Sequence, residues 1–83
     1  MKIYGYTISA AVTLEELKEV SFAASPSELV ALADFFAKKA VEFERDKTLE
    51  HVHFSDFIGD RAAENEVVLC NPVIFSSEGL LPS

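Results

Sequence analysis

Residues 25–46 read SPSELVALADFFAKKAVEFERD, and this stretch decides the fold. Ser25, Pro26 and Glu28 supply an N-cap hydroxyl, a proline at the first helical position and a carboxylate that can reach back to the cap. At about 100° per residue, the apolar side chains cover more than half of the circumference. The central stripe consists of Leu29, Leu32, Ala33, Phe36, Ala40 and Phe43. The pattern predicts one long amphipathic helix that lies flat on a sheet.

The opposite side of this helix is polar. It carries Asp34, Lys38, Glu42 and Arg45. Phe35 lies at the border of the apolar arc, where a purely solvated face would not place a phenyl ring. We expect four aromatic side chains to face away from the helix–sheet core: Tyr4, Tyr6, Phe22 and Phe35. Two roles are open for these four side chains: they pack at the edge of the core, or they form part of a surface that binds a partner.

Two segments before the helix have strand character. Residues 2–9 are rich in β-branched and aromatic residues, which predicts a first strand. Residues 13–24 are ambiguous, because Thr13 and Glu16 have the spacing of a helical capping box whereas the following residues alternate in strand fashion. We interpret them as a turn over residues 11–15 and a strand over residues 17–24, since the helix needs a sheet and two strands make a poor one.

Two further strands are predicted after the helix. Residues 49–54 alternate, with His51 and His53 on one face. Residues 55–63 predict a loop or one irregular helical turn broken by Gly59. Residues 66–75 are nearly continuously apolar, which is typical of a central strand buried on both faces, with its pairing changing or ending at Pro72.

The predicted architecture is an α+β domain over residues 1–75, in the order ββαββ, with one long helix packed on a four-stranded antiparallel or mixed sheet. Residues 76–83 are expected to be a flexible C-terminal tail, whose leucines are able to dock on a partner. A chain of 83 residues makes one domain with a thin stability margin, so a dimer that covers a sheet edge would be favourable.

Composition narrows the partner classes. Fourteen acidic and seven basic residues give a formal net charge of −7, which repels nucleic acid and anionic membranes and favours encounter with a basic protein. The N-terminus has no apolar secretion signal and no apolar run is long enough to span a membrane, so we expect a cytoplasmic protein. Cys70 is the single cysteine, so the chain has no internal disulfide. Its simplest interpretation is a small residue of the core.

His51 and His53 form the one pattern that suggests a metal site. Side chains at i and i+2 of a strand point the same way and can share a Zn²⁺ ion, with Asp56 or Glu50 as an oxygen ligand. The alternative is a solvated strand face, since no third histidine exists and the carboxylates lie on a loop. We therefore expect no metal and no other cofactor.

Catalytic motifs are not evident in the chain. No nucleophile elbow, phosphate-binding glycine loop or CxxC pair occurs, and a small single-sheet domain has little room for a cleft that excludes water. We expect a protein that is not an enzyme.

Four groups of residues resemble a known family. They are Lys2-Ile3-x-Gly5-Tyr6, Leu17-x-Glu19-Val20-x-Phe22 running into Ala24-Ser25-Pro26-x-Glu28-Leu29, His51-x-His53-Phe54-x-Asp56-Phe57, and Val67-Val68-x-x-Asn71-Pro72. Together they resemble predicted immunity proteins of bacterial polymorphic toxin systems. The resemblance implies a protein that binds and neutralises a cognate toxin domain, and it implies no catalytic residues.

The expected function is therefore a non-enzymatic, immunity-type inhibitor with a protein partner, such as a basic toxin domain. Its acidic charge suits a basic nuclease, because complementary fields accelerate association. The expected partner-binding residues are Glu50, His51, His53, Asp56, Asp60 and Glu64. Two alternatives stay open: a small homodimeric structural domain, and a metal-binding accessory protein acting through His51 and His53.

Overall fold

The computed structural model describes residues 1–9, 13–60 and 64–72. Within these ranges the protein is α+β, with two helices and two separate two-stranded sheets. The elements in chain order are β1 (Tyr4–Gly5), β2 (Glu15–Glu16), α1 (Pro26–Arg45), β3 (His51–His53), α2 (Phe54–Ile58) and β4 (Val68–Cys70). No helix in the described ranges has the length and apolar character needed to cross a membrane.

The predicted start and end of the long helix are confirmed. The Glu28 backbone N–H donates to Ser25 Oγ at 3.2 Å, and the Ser25 backbone N–H donates to Glu28 Oε1 at 2.8 Å. This reciprocal capping box satisfies two N–H groups at the helix start that have no partner within the helix. The helix ends at Arg45, and the Asp46 carboxylate that follows accepts from the Thr48 N–H at 3.0 Å.

The core of α1 lies at one border of the predicted stripe, where Leu32 of the stripe and Phe35 beside it are the buried apolar residues of the described chain. Phe35 is fully buried at 0% exposure, whereas Phe36, in the middle of that stripe, is 41% exposed. The expectation that Phe35 faces away from the core was therefore wrong. Its ring centroid lies 5.2 Å from that of Phe54 and 5.3 Å from that of Phe57, so α2 packs over it. A short helix covers a narrower arc of α1 than a four-stranded sheet would, so the apolar side chains of Leu29, Val30 and Val41 remain exposed as well.

The prediction of a four-stranded sheet was wrong. β1 pairs with β2 in the register Tyr4↔Glu16, and β3 pairs with β4 in the register Val52↔Leu69. The two pairs form separate sheets rather than one ladder. Strand propensity and alternation do not specify which strands become neighbours. Here β1 pairs with β2 and β3 pairs with β4, so each described strand pairs with one that is adjacent in the strand order of the chain.

The predicted strand over residues 17–24 was also wrong. The strand in this region is β2, and one further bond, from the Leu17 N–H to the Ile3 carbonyl at 2.6 Å, closes its pairing with β1. Residues 18–24 then run to α1 without helix or strand structure. The predicted turn over residues 11–15 lies partly outside the described residues.

The second half of the chain follows the prediction more closely. β3 lies inside the predicted third strand, and α2 is the predicted helical turn, ended by Gly59 at φ 71°. β4 is a strand, but Val68 is exposed and the sheet has two strands, so the prediction of a central strand buried on both faces was wrong. The described ladder ends before Pro72. The preceding residue, Asn71, is buried; its backbone N–H donates to the Glu50 carbonyl and its side-chain amide to the Leu49 carbonyl. The predicted tail over residues 76–83 lies outside the described residues.

Candidate functional site

One surface hollow collects the predicted histidine pair. This histidine hollow has a volume of about 270 Å³ and is lined by Lys39, His51, Val52, His53, Asp56 and Phe57. The two imidazole ring centroids lie 5.2 Å apart in an edge-to-face arrangement, which confirms that the rings share one face of β3. The structure therefore brings together three of the predicted site residues.

Within the described residues, the two histidines of the hollow differ in whether a polar partner lies near their Nδ1 atoms. His53 Nδ1 lies 3.4 Å from Glu66 Oε2, whereas the buried Nδ1 of His51 has no hydrogen-bond partner in the described part of the chain. Lys39 Nζ lies 3.0 Å from Glu42 Oε2 and 5.7 Å from the centre of the Phe57 ring. Among residues 1–9, 13–60 and 64–72, no three side chains of the metal-binding types are grouped so as to hold a metal ion.

Glu66 lies two residues before β4 and binds the first turn of α2. Its carboxylate accepts hydrogen bonds from the Ser55 backbone N–H at 3.0 Å, from the Val67 backbone N–H at 3.0 Å, and from the Ser55 hydroxyl. Partial burial acts to raise the pKa of Glu66, but the hydrogen bonds and the nearby His53 outweigh burial and hold the pKa below its ordinary value. Glu66 therefore carries a negative charge at neutral pH.

A second, larger depression lies between α1, α2 and residues 21–24, with a volume of about 800 Å³. We call it the acidic groove. Its described lining consists of Ser21, Phe22, Ala23, Ala24, Ser27, Glu28, Ala31, Leu32, Phe54, Ser55, Ile58, Asp60, Glu64, Asn65, Glu66 and Val67. No lysine or arginine stands among these described lining residues, so every formal charge that they contribute is negative.

The acidic groove combines apolar and acidic surface. Leu32 is buried in its wall, whereas Phe22 remains 49% exposed beside it. Glu28 is held ionised, because hydrogen bonds from the Ser25 backbone and hydroxyl lower its pKa below the ordinary value. An apolar surface surrounded by carboxylates suits a basic segment of another protein that also brings apolar side chains.

The structure divides the predicted partner-binding residues between these two surfaces. His51, His53 and Asp56 line the histidine hollow, and Asp60 and Glu64 line the acidic groove. Glu50 lines neither of them, although its backbone carbonyl accepts a hydrogen bond from the Asn71 N–H at 2.7 Å. Helix α2 contributes residues to both surfaces, so a partner that covers α2 would contact both.

Sequence reasoning missed the part that residues 21–24, Glu28 and Glu66 play in the acidic groove. The sequence predicts a capping role for Glu28 and the start of a strand at Glu66. Their proximity to Asp60 and Glu64 depends on how α1 and α2 pack, and no local pattern reports that packing. The one sequence signal was the exposed aromatic expected at Phe22, which the structure places beside the groove.

Cys70 has the properties of a packed thiol. It pairs with His51 in the β3–β4 register and is half-buried. Burial raises the pKa of the Cys70 thiol above its ordinary value. The thiolate that nucleophilic chemistry requires is therefore disfavoured at neutral pH.

Comparison with protein-family models, with curated proteins and with solved structures finds no match to this chain.

Proposed function

We propose that this protein is a non-enzymatic, immunity-type inhibitor that binds a cognate toxin domain in the cytoplasm and neutralises it by protein–protein contact. The observation that carries the proposal is the acidic groove: a depression of about 800 Å³ with apolar walls, four carboxylate side chains and no described basic side chain in its lining. Such a surface favours a basic protein as its partner.

The charge of the whole chain acts in the same direction. A formal net charge of −7 speeds the approach of a basic toxin domain and slows that of nucleic acid or an anionic membrane. If the toxin is a nuclease, carboxylates such as Asp60 and Glu64 would occupy the positions that substrate phosphates take in its active site. The protein then inhibits by covering that site and needs no catalytic group of its own.

The apolar part of the surface supplies the contact area. Several large apolar side chains remain exposed in the described chain, among them Val20 at 44% and Phe22 at 49%. Electrostatic attraction contributes mainly to the rate of association and to specificity, whereas apolar burial stabilises the complex once formed. Both kinds of surface lie side by side at the acidic groove.

The experiment that tests this proposal is affinity capture from the native cell lysate, with the tagged protein as bait and mass spectrometry as the readout. We expect one basic protein to be captured at low salt and to be lost as salt rises, because screening weakens exposed charge interactions. The captured protein is then expressed alone, and its toxicity to cells is measured with and without the inhibitor. Capture of the bait alone, with a dimer in sedimentation, would replace the proposal by the homodimeric structural domain.

A matched pair of variants localises the contact on the purified complex. Glu64→Lys reverses a charge in the acidic groove, and Glu44→Lys makes the same change at the exposed end of α1. We expect Glu64→Lys to slow association by about tenfold at low salt, and Glu44→Lys to change it by about twofold or less. Equal effects of the two variants would show that the groove is not the contact surface.

A further inference from the structure

We propose that residues 18–24 are a pairing edge, to which a basic, extended segment of the partner adds as a β-strand along the acidic groove. This inference rests on the proposed function, and it names the kind of partner segment and the way in which it binds. Strand addition of this type takes its affinity from backbone hydrogen bonds and its specificity from alternate side chains.

The first support is the state of the backbone. The Leu17 N–H is still bonded to the Ile3 carbonyl, but within the described residues no backbone hydrogen bond is made by residues 18–24. Residues 18–23 are exposed and Ala24 is half-buried, so this segment is accessible to a partner. A row of unpaired backbone groups is the template that an added strand requires.

The second support is the sequence of the same segment. Residues 17–24 alternate as a strand does, contain neither glycine nor proline, and include Val20 and Phe22, which have high strand propensity. No residue other than glycine has a positive φ in the described chain, so the segment has no left-handed residue to prevent pairing. A sequence suited to a strand therefore stands here without a partner strand from its own described chain.

Charge selects the occupant. Residues 21–24 border the acidic groove, which contributes Glu28, Asp60, Glu64 and Glu66. A strand added here would place alternate side chains over this groove, where lysine or arginine meets carboxylates. A second copy of this chain is the poorer occupant, because it brings a net charge of −7 to a surface that is itself acidic.

The direct test uses a defined probe, an octapeptide of alternating lysine and valine, followed by NMR of the ¹⁵N-labelled full-length protein. We expect the amide signals of residues 18–24 to shift on titration, and alternate amides among them to become protected from hydrogen exchange. An octapeptide of alternating glutamate and valine is the charge control and should produce no such shifts. Absence of shifts with the lysine peptide at millimolar concentration would overturn the strand addition.

A proline pair tests the backbone itself. Successive N–H groups of a strand point to opposite edges, so only one of Val20→Pro and Ser21→Pro removes a donor from the pairing edge. We expect one variant to bind the lysine peptide about tenfold more weakly and the other to stay within about twofold. Neither position makes a backbone hydrogen bond in the described fold, so both variants should keep the thermal unfolding temperature of the parent.

The outcomes separate this inference from the proposed function. If the lysine peptide binds and both proline variants bind it equally, the segment is recognised through side chains, and strand addition is overturned while the basic partner stands. If one proline variant alone loses binding of the peptide, strand addition is supported, even where lysate capture identifies no toxin.

Discussion

Glu66 and Ser55, which lie eleven residues apart, are joined by two hydrogen bonds. The Ser55 N–H donates to Glu66 Oε1 at 3.0 Å, and the Ser55 hydroxyl donates to Glu66 Oε2. Ser55 lies in the first turn of α2, whose own N-cap residue, His53, makes no side-chain capping bond. A carboxylate from a distant part of the chain therefore takes the place of the local cap and fixes the orientation of α2.

Removal of this distant cap should destabilise the fold. We expect Glu66→Ala to lower the free energy of unfolding by about 1 kcal/mol, the usual cost of losing a capping side chain. Urea denaturation followed by circular dichroism measures the change. Glu64→Ala removes an exposed carboxylate two positions earlier and is the matched control, expected within about 0.5 kcal/mol of the parent. Equal losses in the two variants would contradict the capping role.

The same carboxylate should make stability depend on pH. Partial burial raises the pKa of Glu66, but hydrogen bonds from Ser55 and Val67 lower it further than burial raises it, so the folded pKa lies below the unfolded one. Its stabilisation is then complete above the unfolded pKa, roughly pH 4, and is lost as pH falls through the folded pKa.

The comparison with Glu66→Gln isolates this effect. We expect the parent's advantage in unfolding free energy over Glu66→Gln to be constant near neutral pH and to shrink steadily below about pH 4. The depressed pKa values of Glu28 and Asp46 affect both proteins alike and cancel in the difference. An advantage that persists unchanged at low pH would mean that the carboxylate's charge contributes nothing.

Phe35 and Phe36 offer a paired test of where the core lies. Phe35 is fully buried against the rings of Phe54 and Phe57, so Phe35→Ala leaves a cavity and should cost about 3–5 kcal/mol. Phe36→Ala removes a ring that is 41% exposed and should cost less than half as much. Urea midpoints of both variants provide the measurement, with Phe35→Leu as a folded reference should Phe35→Ala fail to fold. A larger loss for Phe36→Ala would contradict the observed packing.

The long helix was predictable because its signals are local. Ser25, Pro26 and Glu28 lie within one turn, and the capping box that their spacing predicts forms in the structure. The buried side was predicted only in part: Leu32 of the predicted stripe is buried, but more than half of the circumference is apolar, so the same residues did not show that Phe35 would join it in the core. Packing of the short helix α2 selects Phe35, and that choice depends on residues about twenty positions away.

Strand pairing shows the same division between local and distant causes. The histidine strand was located correctly, since alternation over residues 49–54 is a local pattern. Which strands would be neighbours was not encoded in any one segment, so four strand patterns were assembled wrongly into one sheet. For residues 17–24 the local signal was strong but no strand of the described chain lies beside residues 18–24, which is the discrepancy that motivates the proposed strand addition.

The candidate site divides in the same way. The shared face of His51 and His53 follows from their spacing on a strand and was predicted. The acidic groove was predicted only in part, through Asp60 and Glu64, because Glu28 and Glu66 reach it from elements that are distant in sequence. Reasoning from sequence therefore located the acidic stretch after the histidines, but not the surface that it shares with α1.

Gly59 connects the end of α2 to Asp60 in the acidic groove, and its backbone supplies the last prediction. Gly59 has φ 71° and its N–H caps the helix by donating to the Ser55 carbonyl, while an added Cβ would meet no atom of the described residues within 4 Å apart from its two chain neighbours. Gly59→Ala should therefore cost about 1 kcal/mol through backbone strain alone, and Gly59→Asn less, because asparagine tolerates the left-handed region better than alanine does. Urea denaturation of both variants checks the order. An alanine variant as stable as the parent would show that α2 ends in another conformation. Asp60, the next residue, would then lie in a different position relative to the acidic groove.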